Sequence, residues 1–281
     1  MSWFRVLAAC GLAISAALVG FDALAAGGPL GQPHEWQFGL QDPVTPVKEQ
    51  IESFHNLLLI IITAITLFVM GLLLYVIVRF GAARNPVPSR TAHNTLIEVM
   101  WTILPIMILI VIAIPSFKLL YFSDRVPKAE MTIKATGHQW YWSYEYPDNG
   151  NFGFDAILIQ DSDLKQGQLR LLETDNRVVV PVDTTVRVIV TAADVLHAWF
   201  VPSFGVQKEG VPGRANETWF KAEKIGTFYG QCSELCGQNH GFMPIVVQVV
   251  SKDDFTKWAA DAKKKFSAVD APSARVAAAA E

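Results

Sequence analysis

Residues 231 to 244 read QCSELCGQNHGFMP, which sets Cys232, Cys236, His240 and Met243 within one turn-rich stretch. A mononuclear copper site of the blue type asks for one thiolate, a nearby imidazole and a weak thioether, with a second imidazole from elsewhere in the chain. Cys236, His240 and Met243 already meet the local part of that demand, so Cys232 needs its own explanation. Soft sulfur ligands beside an imidazole favour copper. A Cys232–Cys236 disulfide, a zinc site and a redox thiol pair are the alternatives that the spacing leaves open. Two thiolates can each bridge two copper ions, with an imidazole terminating each metal and Met243 and a carbonyl as weak outer ligands. Such a pair shares one unpaired electron and rearranges little as charge moves, and in this reading Cys232 makes the site binuclear. Spacing does not choose the distant imidazole. His138 in GHQWYWSYEY and His197 in DVLHAWF both lie near expected strand ends, while His34, His55 and His93 fall outside the β-rich part.

The elements that would position these ligands follow from patterning. Residues 131–146, 178–190 and 243–250 are rich in Val, Ile, Tyr and Trp with partial alternation, and Gly, Pro, Asp and Asn clusters separate them. This predicts a β-sandwich or barrel. On a continuous strand His138, Trp140, Trp142, Tyr144 and Tyr146 would share one face, the usual mark of a core stripe. The last residues, SAVDAPSARVAAAAE, have little to bury, and 267–281 reads as a disordered tail.

Ahead of the β unit the chain is far more apolar. The 281 residues are 51% hydrophobic with a formal charge of −3, which gives no basis for a nucleic-acid partner. Leu57–Val78 and Val99–Phe117 carry no charge except at their flanks, and at 1.5 Å rise each can cross a hydrocarbon core about 30 Å thick. The first block has Arg5, an apolar centre and Ala23-Leu24-Ala25, which predicts a signal peptide over 1–25 and a mature chain from Ala26. Leu7 to Cys10 resembles a lipoprotein cleavage box but leaves too short an apolar insertion core before it. Removal of a signal peptide leaves the new N-terminus outside, and Arg79, Arg84 and Arg90 between the spans place that loop on the cytoplasmic side. Everything from about residue 119 then lies outside. The expected organisation is a signal peptide at 1–25, an outer segment at 26–53, a transmembrane hairpin at 54–122 with spans near 55–79 and 98–120, a β domain at 123–266 and the tail at 267–281.

The motifs IEVMWTILP, KATGHQWYWSYEY, TDNRVVVPV, DVLHAWFVPSFGVQKEGVPGR and FYGQCSELCGQNHGFMPIVV, with the two spans, resemble subunit II of the haem-copper cytochrome c oxidases from about residue 45 to 258. The resemblance implies a two-helix transmembrane hairpin followed by an all-β cupredoxin-like Greek-key sandwich or barrel that carries the dinuclear copper centre CuA. It implies a bacterial inner-membrane location with both termini on the periplasmic side, and partners in the haem-bearing subunit I, subunit III and cytochrome c. The implied reaction passes electrons from cytochrome c to subunit I, where oxygen becomes water with coupled proton pumping. This chain would have no oxygen-reducing site of its own.

By the same resemblance Cys232 and Cys236 become bridging thiolates, His197 and His240 terminal ligands and Met243 an axial ligand. Glu234 would offer its carbonyl to copper and its carboxylate to a Mg ion shared with subunit I, and His138 takes a structural role. Trp140 matches the aromatic at which an electron arrives. Glu145, Asp148, Asp175 and Asp194 fall where the family presents carboxylates to a basic cytochrome c, although Ala193 stands where some members carry a further acid. Glu98 is an acid at a membrane edge, costly to bury and a functional candidate, though its place at a helix start also suits the helix dipole. The resemblance puts it at the mouth of a proton path. Two other classes are disfavoured: a quinol oxidase subunit II lacks the copper ligands, and a membrane-anchored copper chaperone lacks the second span and Met243.

Overall fold

A computed structural model describes residues 31–266. The expected signal peptide at 1–25 and tail at 267–281 lie outside the described residues.

Among the described residues two long helices come first, α1 (Pro46–Arg79) and α2 (Thr95–Asp124), both apolar and long enough to cross a membrane. Both outrun the apolar stretches that mark them in the sequence. α1 begins eleven residues ahead of Leu57 because its start is capped from outside the apolar run. Thr45 accepts the Lys48 N–H at 3.1 Å, and Pro46 has no N–H to leave unpaired. The Thr45 hydroxyl also donates to the Phe204 carbonyl at 2.7 Å, and Val44, 1% exposed, packs into the β core. The start of α1 is thus fixed to the domain that follows the spans. α2 starts at Asn94, whose side chain accepts the N–H groups of Leu96 and Ile97.

The β part holds ten strands: β1 (Met131–His138), β2 (Tyr141–Tyr146), β3 (Phe152–Ala156), β4 (Val178–Pro181), β5 (Thr185–Ala192), β6 (His197–Val201), β7 (Val206–Gly210), β8 (Asn216–Lys221), β9 (Gly226–Cys232) and β10 (Pro244–Val250). They form two five-stranded sheets, ordered β3-β2-β1-β5-β8 and β4-β10-β9-β6-β7. β1 and β5 alternate strictly between buried and half-exposed positions, as the sequence pattern predicts. Within the sheets β1 runs parallel to β5 and β4 parallel to β10, while the remaining pairs are antiparallel. Trp142, Tyr144, Phe152, Trp199, Phe204 and Phe228 fill the space between them.

The aromatic stripe expected on one strand is divided. β1 and β2 form a hairpin in which His138 pairs with Tyr141, so Gln139 and Trp140 make its turn. Trp142, Tyr144 and Tyr146 are fully buried, as alternation along β2 requires, but Trp140 belongs to a loop and is only half-buried. The chain reversal restarts the alternation.

A third helix, α3 (Lys252–Lys265), has no counterpart in the expected elements. Ser251 caps it by accepting the Asp254 N–H at 3.1 Å, with acids in the first turn and lysines in the last, the polarity that a helix dipole favours. Trp258 packs its ring against Tyr146 and Phe152.

Candidate metal centre

Three loops meet at one end of the sandwich: the β1–β2 turn, the β5–β6 loop over residues 193–196 and the β9–β10 connection over residues 233–243. Strand register brings the ligands together. β6 begins at His197 and β9 ends at Cys232, and the two strands are antiparallel with Trp199 opposite Cys232. On the other flank Gln231 pairs with Pro244, so Met243 sits beside Cys232, whose N–H reaches the Met243 carbonyl.

Cys232 and Cys236 are buried free thiols with sulfurs 3.9 Å apart. His197 Nδ1 lies 3.8 Å from Cys232 Sγ and His240 Nδ1 lies 3.5 Å from Cys236 Sγ, so each imidazole faces a different sulfur. Met243 Sδ is 3.5 Å from Cys236 Sγ, and the Glu234 carbonyl is 3.3 Å from Cys232 Sγ. Among the described residues the ligand atoms of His197, Cys232 and Cys236 lie within 4.8 Å of one another, a group that could hold a metal ion. His240 stands outside that group, with its Nδ1 beside Cys236 Sγ. Two sulfurs flanked by two imidazoles, with a thioether and a carbonyl at the margins, fit a copper pair better than a single tetrahedral ion.

The surroundings tune these groups. Burial pushes the Cys232 thiol up, but hydrogen bonding with His197 and with the backbone at Ala198 and Glu234 outweighs it and brings its pKa below the ordinary thiol value. Burial and the neighbouring Cys232 sulfur push Cys236 the other way. Burial also works against a charged His197, yet the Cys232 sulfur and the Asp194 carboxylate outweigh it and raise the imidazole pKa.

Residues 33–119 match the family described as "Cytochrome C oxidase subunit II, transmembrane domain", and residues 131–250 match "Cytochrome C oxidase subunit II, periplasmic domain". The chain belongs to the cytochrome c oxidase subunit II family. It is 52% identical over 233 residues to the probable cytochrome c oxidase subunit 2 of Rickettsia bellii (strain RML369-C), covering 83% of this chain and 87% of the relative. The corresponding protein of Rickettsia prowazekii (strain Madrid E) is 54% identical over 229 residues, 82% of this chain and 73% of that one. Among solved structures, the periplasmic domain of subunit II of cytochrome oxidase (CoxB) of Bradyrhizobium japonicum is 60% identical, with a TM-score of 0.48 over 51% of this chain and all of that chain. As a family member the chain is a subunit of a haem-copper oxidase, with two membrane-spanning helices and a cupredoxin-like β domain.

The other residues singled out from the sequence fall in several places. His138 is not in the cluster: its Nε2 is 3.0 Å from Ser143 Oγ and its ring stacks on Tyr141. His34, His55 and His93 are outside the β domain. Trp140 donates its indole N–H to the Cys236 carbonyl at 3.3 Å and borders a surface groove with Ile157, Leu158, Gln160, Asn239 and Phe242. Glu234 is exposed beside the cysteines. Each proposed docking acid has a partner inside the domain. Glu145 pairs with Lys134 at 2.8 Å, while Asp148 accepts the Thr132 N–H and Asp175 the Ile157 N–H. Asp194 accepts from His197 Nε2 at 2.8 Å. Glu98 accepts the N–H of Asn94, the residue that caps α2.

Sequence reasoning passed over two residues of the site. Gly137 lies against the His197 ring, and Gln139 donates its side-chain amide to the Cys236 carbonyl at 2.8 Å. Their signal was adjacency to His138 and Trp140, which drew the attention instead.

Proposed function

We propose that this chain is the electron-receiving subunit of its oxidase, taking electrons from a cytochrome c and delivering them to haem in subunit I, where oxygen is reduced with coupled proton pumping. The observation that carries this reading is the convergence of the buried Cys232, Cys236, His197 and Met243 with the half-buried His240 in one cluster. When bound there, a dinuclear copper centre of the CuA type supplies one-electron exchange with its unpaired electron spread over both metals. The chain's own residues would hold it: Cys232 and Cys236 with their thiolates, His197 and His240 with their imidazoles, and Met243 and the Glu234 carbonyl as weaker ligands. Trp140 bridges surface and site, with one edge on the groove and its N–H on the Cys236 carbonyl. That contact makes it the point at which an electron would arrive.

Further assignments belong to the same proposal. The exposed Glu234 carboxylate is a candidate Mg ligand at the contact with subunit I. Glu145, Asp148 and Asp175 would steer a basic cytochrome c, within the screening length of about 8 Å at physiological salt. Subunit III is a further expected neighbour, and the location is the bacterial inner membrane with the β domain on the periplasmic side.

The deciding measurement is copper content and the electron paramagnetic resonance spectrum of the purified full chain. Two copper ions per chain with one delocalised electron are expected, and Cys232→Ser should abolish the delocalised signal rather than shift it. One copper per chain, or a disulfide in copper-replete protein, would remove the proposal.

A further inference from the structure

The Asp194 carboxylate faces inward although it sits in a surface loop. Its Oδ1 accepts from His197 Nε2 at 2.8 Å and from the Val195 N–H at 2.6 Å, and its Oδ2 accepts from the Gln139 N–H at 2.7 Å. All three partners are nitrogens that present a hydrogen. A carboxylate can satisfy them together, whereas a carboxamide in the same place would set its own NH2 against one of them.

Each bond has a consequence at the metal cluster. With Nε2 of His197 committed as a donor to Asp194, Nδ1 is left as the lone-pair nitrogen, and Nδ1 is the one that faces Cys232. The bond to the Gln139 N–H holds the β1–β2 turn, from which Gln139 Nε2 and Trp140 Nε1 both reach the Cys236 carbonyl. A backbone bond from Ala193 N–H to the Gly137 carbonyl ties the same two loops a second time.

We propose that Asp194 is a positioning residue that orients His197 as a metal ligand and seats Trp140 over the Cys236 peptide, in place of the docking role its surface position suggests. This rests on the copper reading given above. An outer carboxylate on a ligand imidazole fixes the tautomer and makes the ligand more basic, and its loss typically lowers metal affinity by about 10–100-fold. A more basic imidazole favours the oxidised metal, so removing the carboxylate should raise the reduction potential.

The test uses the full chain in detergent, as parent, Asp194→Asn and Asp194→Ala, the amide being nearly isosteric in case the alanine variant folds poorly. In the metal-free proteins, nitrogen-15 labelling of histidine reports the His197 Nε2 proton, which should be protected from exchange in the parent, exchange faster in Asp194→Asn, where one acceptor oxygen remains, and exchange freely in Asp194→Ala. After loading with copper, both variants should surrender metal to a copper(I) chelator about 10–100-fold faster and show a higher reduction potential with altered copper hyperfine splitting. Weaker binding of a basic cytochrome c to the variants, seen only at low salt and with unchanged proton exchange, potential and chelator rate, would overturn the proposal and return Asp194 to docking. A parent that binds no copper pair would instead strike at the copper reading, and the metal-free proton measurement would still report on Asp194.

Discussion

Gly137 lies under the His197 ring so closely that a Cβ built there would sit 2.7 Å from the ring Cγ and 2.8 Å from Cδ2. No side chain fits without displacing a ligand. Gly137→Ala is therefore expected to move His197, costing about 1–3 kcal/mol of stability as an overpacking change, and to weaken copper retention further than unfolding data alone would suggest. Chelator competition on folded protein, compared with thermal unfolding, separates the two effects; equal metal retention in variant and parent would mean the ring can retreat freely. Cys232, Cys236, His240 and Met243 were legible because one loop carries them all. His197 and His138 could not be told apart by spacing, since each stands at a strand end among aromatics. In three dimensions His197 lies beside Cys232, where Gly137 leaves room for its ring, while His138 meets Ser143 and Tyr141. Asp194 was read as surface charge because its three partners lie in two different loops.

The long connection between β3 and β4, residues 157–177, supplies Ile157, Leu158 and Gln160 to the groove beside Trp140, and a buried ion pair anchors it. Glu173 has a fully buried side chain, and Arg177 meets it with two bonds at 2.9 and 2.8 Å while Tyr229 of β9 adds its hydroxyl at 3.3 Å. Breaking one partner of a buried pair typically costs 3–5 kcal/mol because the other charge is stranded. Arg177 is still 29% exposed, so Arg177→Met should fall near the lower end, about 3 kcal/mol. Hydrogen exchange should show residues 157–177 opening ahead of the sheets, and protection equal to the parent's would show that backbone bonds alone hold the loop. Alternation made β1 and β5 readable, a Val- and Ile-rich run did so for β10, and uninterrupted apolarity did the same for the two spans. The β1–β2 turn was not readable, because Gln139 and Trp140 lack the Gly, Asn or Asp that usually announce a tight reversal. α3 carries an ordinary serine cap and dipole-matched charges, and it escaped notice beside the stronger strand pattern that precedes it.

Across the molecule, Glu98 lies in the first turn of α2, while the β domain with the candidate metal cluster follows that helix's last residue, Asp124. From Glu98 to Asp124 the helix rises about 39 Å, so the two sites are separated by a full membrane thickness. Glu98→Gln is expected to leave copper spectra untouched while slowing turnover of the assembled oxidase. Equal turnover across pH would reduce Glu98 to its bond with Asn94 at the helix start. The attachment of Val44 and Thr45 to Phe204 and its neighbours bears on how the molecule is made. The two halves of that contact are 159 residues apart. At roughly 5–20 residues per second of synthesis, the Val44 segment waits about 8–32 s for its socket to be translated. Socket and segment meet only if both helices have inserted so that their far ends emerge on the same face. A chain with one span left out puts Val44 and Phe204 on opposite sides of the bilayer, and its sandwich lacks the Val44 side chain that otherwise packs into the core. Completion of the β domain therefore proofreads membrane topology, and misinserted chains should be the ones that proteases find.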